Sequence, residues 1–400
     1  MNLRVLDLFA GCGGLSVGLQ KAGHTITGAC ERDVWASETH AANHPGTTLI
    51  TKDIKDVEAG FWRDSFRGAV DLVAGGPPCQ GFSVSGKRQF GLILDQNELV
   101  KEFLKVVRDV EPRFALIENV GGFKTGRMNG KERVLDYVLR TLAEMGFEAR
   151  VIALQALEYG VPSLRSRLFI VGSRTGFAID PTPTPTHSKT GKNGFQRYVS
   201  AEEALSDLPP LLARKGASDG SPYFSRAQNA FQRALREGTK GVFNHVAMNH
   251  SPRLVERFRT IPHGSSAYHI GDRDGTGEET VTVYKTNNQR LRPDQPSPCV
   301  TANFQSTHVH YRDDRTLTAR EAARLMTFPD WFVFHGKRTQ MSSSFLKQYG
   351  REHENHLSQY NQIGNAVPPR LAEAIGERLG QLADCDGKPV IIHQPVFNLG

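Results

Sequence analysis

Residues 149–155 and 167–173 are two short apolar runs separated by only eleven residues, with Pro162 among them. A parallel strand pair needs a crossover of about a dozen or more residues, usually helical, so these two runs are expected to pair antiparallel. Upstream the pattern differs. Apolar runs at 5–9, 24–30, 48–51, 70–74 and 114–118 alternate with longer amphipathic segments, the signature of an open, mostly parallel α/β sheet. Leu15, Gly18, Leu19 and Ala22 share one helical face, and Leu135, Val138, Leu139 and Leu142 share another within a helix expected over 131–145. Asp95 and Glu98 read as a capping box opening a further helix striped by Leu99, Phe103, Val106, Val107 and Val110. The expected architecture is a parallel α/β sheet closed by one antiparallel last strand.

With 400 residues the chain has room for two or three domains, and its 38% hydrophobic and 23% charged content is ordinary for a globular protein. No apolar run approaches the roughly 20 residues of a membrane span, and the first ten residues do not read as a secretion signal. Cys12, Cys30, Cys79, Cys299 and Cys385 form no C-x-x-C pair, and an odd count suits a reducing compartment. A cytoplasmic protein without membrane or metal is expected. The net charge of +7 suits a polyanionic partner. Residues 181–300 hold 16 Lys+Arg against 11 Asp+Glu, with much of the excess on 214–259, where Phe231, Phe243 and Phe258 are interleaved. Nucleic-acid surfaces have this composition, and so do solvated helix faces over core aromatics. Residues 180–187, with the repeat PTPTPTH, read as a stiff extended linker and a domain boundary. Helices are expected over 319–326 and after Pro368 and Pro369, the latter striped by Leu371, Ile375, Leu379 and Leu382.

The turn after the first strand, DLFAGCGG (7–14), runs from strand through a glycine loop into a helix, an arrangement that brings backbone N–H groups against an anion. A dinucleotide fingerprint would need glycine where Ser16 stands, and a methionine carboxylate suits the turn instead. Glu31, ending the second strand, is placed to take both ribose hydroxyls of an adenosine, and Asp53, after the third, to reach the adenine edge. Acids at strand ends are also common for no functional reason. GGPPCQGFS (75–83) follows the fourth strand as a rigid, side-chain-poor loop with Cys79 at its centre. Cys79 reads either as a thiolate nucleophile or as a buried structural thiol, and the proline-glycine loop at the ligand edge favours the first. Glu118, in ENV at the end of the fifth strand, is set to face it or to be a solvated strand end. Arg165 and Arg167 alternate and are expected to point to one side as a clamp on a phosphate or carbonyl rather than a core pair.

The ordered set DLFAGCGG, ERD, GGPPCQGFS, ENV, GVPSLRSRLFIVG, RPDQPSPCVTA and NQIGNAVPPRLAEAI resembles the DNA (cytosine-5) methyltransferase family of the bacterial modification type, from residue 3 to about 380. The resemblance implies an S-adenosylmethionine-dependent, Rossmann-like catalytic domain (1–180), a smaller target-recognition domain with its hinge (181–310), and a return to the catalytic domain (311–400). It implies that Phe9, Gly11, Gly13, Gly14, Glu31, Asp53, Pro77 and Asn365 contact S-adenosylmethionine, which leaves as S-adenosylhomocysteine. Cys79 would be the nucleophile, Glu118 and Arg167 would hold the cytosine, and Arg165 would help to position it. The partner implied is double-stranded DNA bound by a monomer, with a cognate restriction endonuclease acting separately. Ser163 stands where the family usually has glutamine, Cys299 where it usually has threonine, and a polar insertion at 336–357 has no assigned role. Two other readings stay open: an RNA cytosine-5 methyltransferase and a catalytically silent DNA-binding relative. A nicotinamide oxidoreductase is disfavoured by Ser16.

Overall fold

The computed structural model describes residues 1–78, 90–128, 132–213, 215–216, 219–239, 241–268, 287–340 and 343–385. Its centre is a seven-stranded sheet built from β1 (Arg4–Leu8), β2 (Thr25–Cys30), β3 (Thr48–Ile50), β4 (Leu72–Gly75), β5 (Phe114–Asn119), β8 (Glu148–Gln155) and β9 (Ser166–Ser173), in the order β3-β2-β1-β4-β5-β9-β8. A two-residue ladder of β6 (Arg127–Met128) with β7 (Glu132–Arg133) lies outside it. The first five strands are parallel. The short connection after β8 holds only a 3₁₀ turn, Ala156–Tyr159, so the chain reverses and β9 runs antiparallel to both neighbours. Thus β9, the last of these seven strands along the chain, is inserted between β5 and β8 and leaves β8 at the edge.

Strand side chains alternate between faces, which divides the core in two. Leu6, Leu8, Val73, Ala115 and Ile117 pack with Phe103 and Val107 of α4 (Phe90–Val110) and with Val138 and Leu142 of α5 (Val134–Glu144). Val5, Leu72, Ala74 and Leu116 pack with Leu15 and Leu19 of α1 (Gly14–Lys21) and with Leu371, Ile375 and Leu379 of α13 (Pro369–Asp384). The last helix therefore covers the amino-terminal sheet. It approaches closely because Gly18 and Gly376 lack side chains: a Cβ on Gly18 would lie 2.3 Å from that of Ala372, and one on Gly376 would lie 2.8 Å from that of Ala22. The capping box expected at Asp95 is not a helix start. α4 begins five residues earlier, because residues 90–94 contain no proline and one glycine costs only about 1 kcal/mol in a helix this long.

Beyond the linker, which Thr186 N and the Tyr159 hydroxyl fasten to its surroundings by bonds to Glu158 O and Pro183 O, the chain forms short helices rather than a second large sheet. Two of these, α6 (Ala201–Leu205) and α10 (Ala319–Leu325), open with full capping boxes, Ser200/Glu203 and Thr318/Glu321. Buried Arg324 of α10 bonds Asp207 at 2.5 Å and Asp330 at 2.7 Å, tying this region to the returning chain. Phe231 of α7 (Ala230–Arg236) and Phe258 of α8 (Pro252–Thr260) are buried, only 5% and 1% exposed. The aromatics interleaved with the basic residues are therefore mainly inner faces of amphipathic helices, not a stacking surface. Arg226 and Arg233 stay exposed along one open groove. Among the described residues no helix is long and apolar enough to cross a membrane.

Candidate active site

Ligands of open α/β sheets sit beyond the carboxyl ends of the parallel strands, and here that edge opens on a cavity of about 950 Å³. Phe9, Gly11, Gly14, Glu31, Asp53, Pro77, Glu118, Arg167 and Asn365 all line it, although they come from segments up to 356 residues apart. At one end the chain leaves β1 through Phe9 and Gly11, both at φ 56°, and enters α1. Gly11 N donates to Glu31 Oε2 and Asp33 N to Glu31 Oε1, both at 2.8 Å. Burial raises the pKa of Glu31 while these two N–H groups oppose the rise. Each carboxylate oxygen keeps a second lone pair for a ligand hydroxyl. Asp53 accepts from Lys55 N at 3.1 Å and from Arg32 at 2.6 Å, so its carboxylate is fixed at the cavity mouth. Gly13 does not line the cavity. Its α-carbon turns to His44, whose Nε2 would be 2.4 Å from an added Cβ.

At the other end, Glu118 closes β5 and Arg167 opens β9, both little exposed. Arg167 Nε lies 2.5 Å from Glu118 Oε1, yet off the direction of a hydrogen bond, so neither atom has a hydrogen-bond partner. The pair is held by charge and keeps polar capacity for a third group. Gly76 makes room for it, since a Cβ there would stand 2.9 Å from Glu118 Oε2. Asn119 Nδ2 donates to Pro77 O at 3.2 Å and pins the loop two residues before Cys79, which itself lies outside the described residues.

The expectation that Arg165 and Arg167 act together as a clamp is corrected. Arg165 is 1% exposed and absent from the cavity wall. It donates to Val300 O at 2.8 Å, Gly364 O at 3.0 Å and Ala366 O at 2.8 Å. Burial, then the charge of Arg167, lowers its pKa. The residue precedes β9 and so does not follow strand alternation: it is an internal strut joining three chain segments. Ser163 and Cys299 belong to the same joint. Ser163 Oγ donates to Pro298 O and accepts from Val300 N, while Cys299 Sγ sits 4.0 Å from the Arg165 guanidinium.

Sequence reasoning passed over three groups. Asn119 stands within ENV beside the candidate acid, and an amide there is a natural loop tie. Asp33, which caps α2 (Val34–Asn43), could have been found as an Asp before a helix. Gln340, Asn355 and His356, from the unassigned insertion, line the cavity and carry no local signal.

Asp7, beneath the glycine loop, accepts from Ser16 Oγ at 2.7 Å, and burial lifts its pKa from 3.8 to about 7. Between those values the folded chain holds a proton that the unfolded chain has released. This contribution to stability is full below about pH 4 and is lost as pH rises through about 7. Asp7→Asn, which keeps an acceptor for Ser16, is therefore expected to raise the melting temperature more at pH 8 than at pH 5, measured without cofactor. A gain that is the same at both pH values would disprove this burial cost.

A reversed strand beside β5, a glycine turn answered by Glu31, and Gly76, Pro77 and Pro78 lining one cavity with Glu118 and Arg167 give the α/β architecture of a methyltransferase. Comparison with known proteins sharpens this. The family described as C-5 cytosine-specific DNA methylase matches residues 3–381. The Type II methyltransferase M.DdeI of Desulfomicrobium norvegicum is 39% identical over 387 residues, covering 94% of this chain and 88% of that protein. M1.HphI of Haemophilus parahaemolyticus is 32% identical, covering 94% and 86%. A solved E. coli protein, assigned as a DNA modification methyltransferase encoded within a prophage, superposes with a TM-score of 0.71 at 25% identity, over 96% of this chain and all of that one. The chain belongs to the C-5 cytosine-specific DNA methylase family and is a DNA cytosine-5 methyltransferase.

Proposed function

We propose that the enzyme flips a cytosine out of duplex DNA and methylates carbon 5 through a covalent adduct with Cys79, in a sequence-specific, Type II modification role. The observation that carries this reading is the Glu118–Arg167 pair, which faces the same cavity as Glu31 and the Phe9–Gly14 turn. Bound S-adenosylmethionine supplies a methyl group on a positively charged sulfur. Its site fits the residues present: Glu31 offers oriented carboxylate oxygens to ribose, Phe9, Gly11 and Gly14 line the turn, Asp53 stands at the mouth, and Pro77 and Asn365 complete the wall.

The chain's own groups do the rest. Cytosine carbon 5 is a poor nucleophile, so the Cys79 thiolate adds to carbon 6 and pushes an electron pair toward carbon 5 and ring nitrogen 3. A proton taken up from solvent with the base is shared between the Glu118 carboxylate and nitrogen 3, and Arg167 opposes charge at the carbonyl oxygen. After methyl transfer, water takes the carbon 5 proton, and the electron pair of that C–H bond re-forms the carbon 5–carbon 6 double bond and expels the thiolate. Arg165 acts at a distance, by locking the segment that carries Arg167 against those of Val300 and Gly364. The stacked base hides its reacting face, so flipping is required and costs a few kcal/mol.

Residues 181–310 are assigned as the target-recognition unit, inserted between catalytic parts 1–180 and 311–400. The exposed Arg226 and Arg233 support phosphate contact there. We further assign a cytoplasmic monomer, with any cognate endonuclease acting separately. Bisulfite sequencing of DNA from expressing cells should show one methylated cytosine context, and purified enzyme should label duplex DNA and not RNA. Labelled RNA with unlabelled DNA would overturn the substrate. Glu118→Gln should keep S-adenosylhomocysteine affinity and lose at least about 100-fold in methyl transfer. Near-normal turnover would mean that another group activates the ring.

A further inference from the structure

The insertion at 336–357 is fastened to α2, the helix that follows Glu31. Leu357 N donates to Asp33 Oδ2 at 2.8 Å, and His356 Nδ1 lies 3.5 Å from the same oxygen. The other oxygen of Asp33 accepts from Ala36 N and caps α2. The His356 ring packs on Trp35 at 5.2 Å between centroids, and Gly336, at φ 83°, lies so close to Trp35 that a Cβ would stand 2.5 Å from the indole. His335 N donates to Thr39 Oγ1, which donates in turn to Gln362. Both ends of the insertion are therefore seated on one helix, and Gln340 Nε2 bonds Asn355 Oδ1 across it.

This seating has a direction. Asp33 N donates to Glu31 Oε1, so a single residue links the carboxylate assigned to the ribose with Leu357 and His356. Gln340, Asn355 and His356 line the cavity together with Glu31, Asp53 and Lys55. We propose that Gln340, Asn355 and His356, at the two described ends of the insertion, form the outer wall of the cofactor cavity on its adenosine side, with His356 and Gln340 presenting polar edges to the nucleoside and Asp33 as the latch that positions them. The proposal rests on the cofactor reading above and adds binding residues to it.

The test is calorimetric binding by the full-length chain of S-adenosylhomocysteine and of 5′-methylthioadenosine, which has the nucleoside but lacks the amino-acid half. The variants are His356→Ala, Gln340→Ala and their combination, with Glu31→Ala as the control for the site itself. Gln340 is exposed and the His356 side chain is 26% exposed, so the fold should survive, which thermal melting without ligand checks. The double variant is expected to weaken both ligands by the same factor, about tenfold. Unchanged binding of both, with Glu31→Ala still weakening them, would overturn the wall and leave the cofactor site standing. Loss confined to S-adenosylhomocysteine would also overturn it, by placing these residues at the amino-acid half. If Glu31→Ala itself changes neither affinity, the cofactor reading fails, and the wall with it.

Discussion

A chain stopped after Leu357 is expected to lose both cofactor binding and cooperative folding, although every strand of the sheet is still present. The missing piece contains α12 (Gln359–Asn365) and α13. Leu371, Ile375, Leu379 and Leu382 are buried against the sheet and α1, and at about 1.5–3 kcal/mol each they represent roughly 6–12 kcal/mol. That is comparable to the whole stability of a typical domain, about 5–15 kcal/mol. Polar losses add to it. His24 would lose Gly376 O as the acceptor for its Nε2, and the buried Arg165 guanidinium would lose Gly364 O and Ala366 O, leaving donors without partners. Removing Asn365, Ala366 and Val367 also opens the cavity. A 1–357 fragment that melts cooperatively and binds S-adenosylhomocysteine as tightly as the full chain would refute this account.

Cys79→Ser should reduce methyl transfer by about 10⁴-fold or more, since a serine hydroxyl is a far weaker nucleophile at neutral pH than a thiolate. The same variant separates the chemistry from mere binding. With duplex DNA carrying 5-fluorocytosine at the methylated position, the native enzyme and cofactor should give an adduct stable in a denaturing gel, because fluorine at carbon 5 cannot leave as a proton. The variant should give none while still binding S-adenosylhomocysteine. An adduct formed by Cys79→Ser would place the nucleophile elsewhere.

Most of the catalytic half was legible from the chain itself. The five parallel strands, the antiparallel pair and the α1, α5, α10 and α13 helices rest on side-chain periodicity and turn residues within ten or twenty positions, and they fall where those patterns place them within a few residues. That one cavity would gather these residues was legible because strand order carries the carboxyl ends of β1, β2, β4 and β5 to one edge, where Phe9, Glu31, Pro77 and Glu118 meet. Legibility failed where a side chain's partner is distant in sequence. Arg165 and Arg167 look equivalent in sequence, yet one is a buried strut and the other faces the cavity.

Local alternation, glycine and proline geometry and residue type are enough to specify the sheet, its reversed strand and the identity of the groups available for chemistry. Tertiary structure decided which of those groups are exposed to a ligand. It buried Phe231 and Phe258, diverted Gly13 to His44, turned Arg165 inward and seated the unassigned insertion on Asp33. The physical reason is that burial and hydrogen-bond satisfaction are settled among segments hundreds of residues apart, where no periodicity in the chain records the partner.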